Sequence, residues 1–194
     1  MAHYFTNDDI KSDEKLISVK LNKNVYHFLV DNGVFSKRGL DFGTRTLLES
    51  IDVLEIKGDV LDFGCGWGPI GIYIALETDA CVDMMDVNKR SLSLALKNAK
   101  INDVSVNIFE SNIYDNVNKK YDFIISNPPI RVGKKVLYEI LFGAYDYLKE
   151  NGQLIIVVNK NQGANSLIKD LKGKYKVEVI NKNKGFYVIK ALKW

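Results

Sequence analysis

The chain has 194 residues, of which 46% are hydrophobic and 26% are charged, as in one folded domain with a sizeable core. Its 27 basic and 24 acidic side chains leave a net charge of +3, too small to identify a partner by itself. The sequence has no apolar run of about 20 residues as in a membrane span, no signal-peptide pattern, and only 2 cysteines, too few for a disulfide framework. We therefore predict a single cytoplasmic domain over residues 1–194, with no membrane partner.

The first 35 residues predict a polar arm and a β-hairpin ahead of the main part of the domain. Residues 16–21 alternate between apolar and polar side chains, and residues 25–30 form a second apolar segment after a polar turn. Residues 36–194 are predicted to form the catalytic core.

Residues 33–44 join the hairpin to this core without helical or strand periodicity, although they carry apolar anchors such as Phe35 and Phe42. Such an ordered loop is either a lid or substrate wall, or a connector that packs on the sheet. Asp41 is suited to cap a helix over residues 45–51, because its carboxylate can accept hydrogen bonds from N–H groups of the first helical turn.

After this point predicted strands and helices alternate, which indicates a doubly wound α/β fold with a mostly parallel sheet. Two successive strands at the C-terminus, joined by a short polar turn, indicate an antiparallel hairpin in that sheet. The predicted strands are residues 59–63, 80–86, 105–110, 121–126, 153–158, 175–180 and 185–192, and the predicted helices are residues 69–77, 89–101, 135–149 and 165–171.

The glycine-rich turn after the first of these strands is the clearest ligand signal. Asp62 and three following glycines fit the pattern D-x-G-x-G-x-G, while Gly66, Gly68 and Gly71 fit the dinucleotide pattern G-x-G-x-x-G. Glycine lets a ligand lie against bare backbone, and the next helix offers free N–H groups. The turn predicts a polar or anionic ligand without deciding which.

Polar side chains at the ends of the next two strands belong to the same edge of the predicted sheet. Asp86 lies about 20 residues after the glycine turn, where an acid holds a ribose diol in such folds. Asn88 is suited either to cap the next helix or to contact the ligand. Ser111 and Asn112 follow the third strand and are candidates for contact with an adenine edge.

The motif Asn127-Pro128-Pro129-Ile130, directly after the fourth strand, indicates chemistry at an amino group. Proline holds Asn127 extended, and the two prolines lack an N–H, so the loop presents acceptors. The side-chain oxygen of Asn127 and the carbonyl oxygen of Pro128 can then accept both N–H bonds of one amino group. Because the lone pair of a planar nucleobase amine is shared with its ring, two such acceptors would pyramidalise the nitrogen and direct the lone pair at an electrophile.

Basic residues gather in two places that phosphate groups can approach. Arg131, Lys134 and Lys135 follow the Asn-Pro-Pro motif, and lysines dominate the segment after Gln162. This surface is either nucleic-acid-binding or an ordinary solvated face, and the sequence leaves both open. The histidines and cysteines show no metal-ligand spacing, so no metal is expected.

With the glycine turn, Asp86 and the Asn-Pro-Pro-Ile motif in this order, the sequence resembles the class I S-adenosylmethionine-dependent methyltransferases. Residues 33–36 and 40–44, together with Gly133-Lys134 after the prolines, are similar to the small-subunit (16S) ribosomal RNA guanine-N2 methyltransferase family. The resemblance implies a seven-stranded Rossmann-like sheet with an antiparallel last strand. It also implies methyl transfer from S-adenosylmethionine to N2 of a guanine in RNA, with small-subunit ribosomal RNA as substrate and partner.

The same resemblance implies a cofactor site, a catalytic loop and a substrate site. The expected cofactor residues are Asp62, Gly64, Gly66, Gly68, Asp86, Asn88, Ser111, Asn112 and Asn127. The expected catalytic residues are Asn127, Pro128, Pro129 and Ile130. The expected substrate contacts are Phe35, Thr44, Arg131 and Lys134.

Ile130 departs from the family pattern, since many relatives place an aromatic residue after the prolines to stack on the base. Base–aromatic stacking is worth about 1–3 kcal/mol of binding free energy. Another residue must therefore supply this contact with the base, and Phe35 is a candidate. Two related alternatives are a methyltransferase for a protein glutamine amide or for a DNA adenine. Alternatives from other classes are a nicotinamide-dependent oxidoreductase and a non-catalytic RNA-binding protein.

Overall fold

The computed structural model describes residues 11–34, 36 and 39–194 of the chain. Residues 1–10 of the predicted arm and Phe35, the candidate for gripping the base, lie outside the described residues. Within the described part of the chain, no helix is both long enough and apolar enough to cross a membrane.

The predicted N-terminal hairpin is confirmed. Strand β1 (Lys15–Leu21) pairs antiparallel with β2 (Asn24–Val30) as a small separate sheet. Alternate side chains of β2 are buried, which is the pattern of a strand with one face on the core. Among them, Phe28 meets the ring of Trp67 edge-on, with 5.0 Å between centroids, so the hairpin packs directly on the glycine turn.

The predicted fold class is also confirmed. Seven strands form one sheet in the order β5-β4-β3-β6-β7-β9-β8, and β9 runs antiparallel to both of its neighbours. The other pairings are parallel, as expected when helices connect successive strands. The strands are β3 (Asp59–Phe63), β4 (Cys81–Asp86), β5 (Asn107–Glu110), β6 (Tyr121–Ser126), β7 (Leu148–Asn159), β8 (Lys176–Asn183) and β9 (Phe186–Leu192).

Helices cover both faces of this sheet. The apolar faces of α1, α2 and α3 form one buried cluster with the hairpin, and those of α4 and α5 form a second cluster on the other face. Successive residues of β3 alternate between them, Val60 in the first cluster and Leu61 in the second. The helices are α1 (Phe42–Ser50), α2 (Pro69–Glu77), α3 (Lys89–Ile101), α4 (Lys134–Tyr147) and α5 (Ala164–Leu171).

Several element boundaries differ from the prediction, and the starts of α1 and β7 are the two with a clear physical reason. Helix α1 begins at Phe42 because Asp41 caps it by accepting from Thr44 N at 3.0 Å, so Gly43 and Thr44 are helical although glycine disfavours helix. A Cβ on Gly43 would lie 2.9 Å from the ring of Phe186, which explains the glycine. Strand β7 begins at Leu148 directly after α4, with a register shift against β6, where we predicted more helix.

Asn98 on α3 holds the hairpin against the glycine turn. It is fully buried, its Oδ1 accepts from Leu29 N at 2.6 Å, and its Nδ2 donates to the carbonyls of Leu29 (2.9 Å) and Trp67 (2.8 Å). One amide therefore satisfies backbone groups of β2 and of the turn that follows β3. Such a buried network is stabilising only while every member has its partner.

We expect Asn98→Ala to lower the free energy of unfolding by about 2–4 kcal/mol, because it leaves several backbone groups without their buried partner. Urea denaturation of the purified protein measures this loss. Asn102→Ala is the control. Asn102 is the half-buried C-cap of the same helix, and its Nδ2 donates to the carbonyls of His27 and Asn98, of which the second keeps a bond from Asn102 N, so the loss should be less than about 1 kcal/mol. Equal losses for the two variants would contradict the role given to Asn98.

Candidate active site

The candidate site lies where the direction of strand order reverses. From β3 the chain continues to β4 and β5 on one side, and then returns to β6 on the other side of β3. The carboxyl ends of β3 and β6 are therefore neighbours, and ligands of such sheets bind in the crevice outside this switch point. Ser126 Oγ donates to the carbonyl of Phe63 at 2.8 Å, which fixes the two strand ends side by side.

The glycine turn leaves bare backbone at this crevice. Gly64, Gly66 and Gly68 have φ values of 69°, 56° and 92°, in the region that favours glycine. A Cβ on Gly64 or Gly66 would point into open space, with no described atom within 4 Å. By contrast, a Cβ on Gly68 or Gly71 would meet Met84 at 2.8 Å and 2.6 Å. The first two glycines thus form a cradle for a ligand, and the last two allow α2 to approach β4.

Asp62 is fully buried beneath the turn. Its Oδ2 accepts from Gly71 N at 2.8 Å, whereas its Oδ1 has no hydrogen-bond partner among the described residues. Burial, with a smaller contribution from the nearby Asp86 charge, raises the pKa of Asp62 to about 7. A buried carboxyl with an unsatisfied oxygen is costly to the protein alone, which is typical of a functional position.

Asp86 ties the end of β4 to the same turn. Its carboxylate accepts from Gly66 N at 2.8 Å and from Asn88 N at 2.9 Å, and burial raises its pKa above the ordinary value. The side chain of Asn88 caps α3 by accepting from Arg90 N (3.0 Å) and Ser91 N (3.2 Å). Capping, one of the two roles considered for Asn88, is thus confirmed. Contact of either residue with a cofactor stays a prediction.

Ser111 and Asn112 lie one strand further along the edge. Ser111 N donates to the carbonyl of Asp86 at 3.1 Å, and its buried hydroxyl donates to the carbonyl of Ile113 and accepts from Asn116 N, both at 3.1 Å. The hydroxyl of Ser111 is therefore used to shape its own loop. Asn112 is exposed, and its contact with an adenine stays a prediction.

Asn127 is held by two residues that precede the glycine turn by about 20 positions. Its Nδ2 donates to Thr44 Oγ1 at 2.9 Å and to Asp41 Oδ1 at 3.2 Å. No described residue donates to Asn127 Oδ1. Thr44, predicted as a substrate contact, is buried, and its hydroxyl donates to Asp41 Oδ2 at 2.6 Å. The sequence signalled Asp41 as a helix cap and gave no sign of its link to Asn127.

The two prolines continue this corner. The carbonyl of Pro129 accepts from Val132 N at 3.2 Å in a short 3-10 helix, Ile130–Val132. No described residue donates to the carbonyl of Pro128. Ile130 is half-buried and packs on the apolar cluster of α4 and α5, so it anchors the loop to the core.

The predicted basic substrate contacts stand at the surface beside this corner. Arg131 and Lys134 are exposed, and Lys134 Nζ lies 4.8 Å from the ring centroid of Tyr138. The described residues contain no group of His, Cys, Asp and Glu side chains that could hold a metal ion.

Comparison with known proteins identifies the family. Residues 25–190 match the methyltransferase small domain family. The chain belongs to this family. It is also 41% identical to the uncharacterized protein YbxB of Bacillus subtilis, with 98% of each chain covered. The predicted resemblance to class I S-adenosylmethionine-dependent methyltransferases is confirmed, and the oxidoreductase alternative is set aside.

One further relative and one solved structure carry more specific names. Ribosomal RNA small subunit methyltransferase C of Aliivibrio fischeri is 37% identical over 66% of this chain, which spans only 38% of that protein. The 16S rRNA N2 G1207 methyltransferase RsmC of T. Thermophilus, solved with AdoMet and guanosine, superposes with a TM-score of 0.83. Its identity is 22%, with 93% of this chain and 51% of that chain covered, so this likeness establishes the fold alone.

The buried Asp62 carboxyl predicts a dependence of stability on pH. Its folded pKa of about 7 exceeds an unfolded value of about 3.9, so its contribution to stability is full below the unfolded pKa and is lost as pH rises through 7. In the absence of ligand, Asp62→Asn should therefore gain roughly 2–3 kcal/mol relative to wild type between pH 5 and pH 8. Urea denaturation at both pH values measures this, with Asp52→Asn as a surface control. A constant difference between Asp62→Asn and wild type would contradict the assignment.

Proposed function

We propose that this protein transfers the methyl group of S-adenosylmethionine to the exocyclic N2 amino group of a guanine in RNA, with small-subunit ribosomal RNA as the substrate. The observation that carries the proposal is the corner at Asn127 and Pro128. The side-chain oxygen of Asn127 and the carbonyl oxygen of Pro128 accept from no described donor, and they belong to the loop after β6, whose end lies next to the end of β3 and its glycine turn.

The residues of the cradle fit this cofactor. Gly64 and Gly66 leave open space where side chains would otherwise stand, and Asp62 brings a buried oxygen that lacks a hydrogen-bond partner among the described residues. Asp86 contributes a second carboxylate at the strand end, suited to a ribose diol. When bound, S-adenosylmethionine supplies an electrophilic methyl group on a sulfonium. The carboxyl groups of Asp62 and Asp86 complement the positive charge of such a ligand.

The corner fits an amino group as the methyl acceptor. Asn127 Oδ1 and the carbonyl oxygen of Pro128 would each accept one N–H of the target amine and so hold its nitrogen facing the cradle. This arrangement works by positioning and by fixed dipoles, and needs no strong base. After transfer the nitrogen loses one proton to solvent or to one of these oxygens.

Several side chains around the corner are suited to an RNA strand. Arg131 and Lys134 extend from the loop, and the β8–β9 turn brings lysines to the same edge of the sheet, because Phe186 pairs with Asn159 at the carboxyl end of β7. On this turn Lys184 Nζ lies 5.3 Å from the ring centroid of Phe42, the residue directly after Asp41. Phosphate contacts of this kind position a strand without reading its sequence.

Relatives named for small-subunit ribosomal RNA favour RNA over the other amino-group substrates. A protein glutamine amide or a DNA adenine would use the same corner in the same way. The choice among these three therefore depends on the surface around the corner, and it is open to direct test.

We expect Gly66→Ala to reduce S-adenosylmethionine binding at least about tenfold, because the added methyl group enters the cradle, while left-handed strain costs only about 1–2 kcal/mol of stability. Gly163→Ala is the matched control. Gly163 has φ of 88° and equally open surroundings, but caps α5 instead of lying in the turn. Isothermal titration calorimetry measures binding and thermal melting measures stability. Equal affinities in the two variants would contradict the cradle.

We expect Asn127→Ala to lower methyl transfer to RNA by at least about 100-fold, because one of the two oxygens that hold the amine is lost. S-adenosylmethionine affinity should change little. The assay follows tritiated methyl transfer to small-subunit ribosomal RNA and to assembled small subunits, with double-stranded DNA and a glutamine-containing peptide as alternative acceptors. Mass mapping of the product locates the methyl group. Full activity of Asn127→Ala would rule out the corner as the site of transfer, and methyl groups found only on peptide or DNA would rule out the RNA assignment.

A further inference from the structure

We propose that Asp41 and Thr44 are positioning residues that fix which end of the Asn127 amide faces the substrate. The predicted effect on kcat rests on the proposed function, whereas the orientation of the Asn127 amide does not. It assigns Thr44 a role inside the protein in place of the substrate contact expected from the sequence.

The argument begins with the donors and acceptors at Thr44. Its hydroxyl has one proton, which goes to Asp41 Oδ2 at 2.6 Å, the length of a charge-assisted bond. The hydroxyl oxygen can therefore act only as an acceptor toward Asn127, 2.9 Å away. The second partner of the amide, Asp41 Oδ1, is an acceptor as well.

Two acceptors on the same side of the amide allow only one orientation. The NH₂ group of Asn127 must face Asp41 and Thr44, and its oxygen must face away. The nitrogen and the oxygen of a side-chain amide are alike in shape, so we assign the orientation from the chemistry of the hydrogen-bond partners and not from the atom positions. The oxygen is the end that can accept an N–H from an amine, whereas the NH₂ end would repel it.

Asp41 is itself held rigidly. Its Oδ1 accepts from Thr44 N at 3.0 Å as the cap of α1, so the first turn of that helix sets the position of the carboxylate. Thr44 is buried, with 3% of its surface exposed, and packs within the same turn. The carboxylate also polarises the amide through its N–H and so strengthens Asn127 Oδ1 as an acceptor.

Asp41→Asn provides the sharpest test, because asparagine caps a helix as well as aspartate does. In this variant the new amide can donate to Thr44 Oγ1, which frees the threonine proton to donate to Asn127. The remaining side-chain oxygen at position 41 still accepts from Asn127 Nδ2, so the two orientations of the Asn127 amide then compete, and part of the population presents its NH₂ group to the substrate. We expect kcat to fall about tenfold or more, with KM for S-adenosylmethionine within about twofold of wild type.

Substitutions at Thr44 separate the hydroxyl from the shape of the side chain. Thr44→Val keeps the shape and removes the hydroxyl, and should lower kcat about tenfold or more. Thr44→Ser keeps the hydroxyl and should stay within about threefold of wild type. Thr46→Val is the matched control, since Thr46 is buried on the same helix and its hydroxyl donates only to the carbonyl of Phe42 at 2.8 Å. It should leave kcat within about twofold.

Nuclear magnetic resonance of the Asn127 side-chain NH₂ group, assigned by its loss in Asn127→Ala, tests the orientation without any substrate. The inference predicts that its resonances shift and exchange faster with solvent in Asp41→Asn and Thr44→Val, and stay unchanged in Thr46→Val. Unchanged NH₂ resonances in Asp41→Asn and Thr44→Val, or unchanged kcat in both, would overturn the inference. If instead the resonances respond as predicted while no acceptor with an amino group is methylated by wild type, the proposed function fails and the orientation stands.

Discussion

The site depends on the parallel pairing of β3 with β6. This pairing brings together two loops that are about 60 residues apart in the chain, the glycine turn after Phe63 and the proline corner after Ser126. The hydrogen bond from Ser126 Oγ to the carbonyl of Phe63 fixes their separation at the point where both strands end. The first loop leaves open space at Gly64 and Gly66, and in the proposed function the second presents acceptors toward that space.

Parts of the chain outside the sheet make these two loops rigid. The hairpin and Asn98 hold the backbone of the glycine turn from one side, through the carbonyl of Trp67. The first turn of α1 holds Asn127 through its side-chain amide. The hairpin and α1 both precede β3 in the chain, so the segment before the first core strand helps to hold the site. The arrangement agrees with catalysis by positioning, in which rigidity replaces strongly acidic or basic groups.

The local chemistry of the chain made most of the fold predictable. Helix α2 begins where Pro69 occupies its first position, and α3 begins where Asn88 caps it, so both were predicted with their observed bounds. The start of α1 was missed because Gly43 has a poor helix propensity, and only the ring of Phe186 explains it. The start of β7 was missed because Leu148 continues the apolar stripe of α4, while its partner in the sheet lies far away in sequence.

The candidate site was predictable only where a short local motif is enough to indicate a function. The glycines, Asp86 and the Asn-Pro-Pro corner are of this kind. The contact between Thr44 and Asn127 spans 83 residues, and nothing in either segment alone indicates it. Likewise, Asp62 Oδ1 is buried without a partner in the described part of the chain because of how the turn folds over it, and sequence periodicity cannot show this. Sequence patterns thus indicated the candidate reacting groups, and the fold was needed to find the groups that hold them.

The most direct measurement is a crystal structure of this protein soaked with S-adenosylhomocysteine. Our account predicts the ligand in the cradle of Gly64 and Gly66, with its sulfur facing Asn127 Oδ1 and the carbonyl oxygen of Pro128, and with Asn127 Nδ2 still on Thr44. A ligand bound elsewhere, an empty cradle at saturating ligand, or a corner that faces away from the sulfur would contradict it.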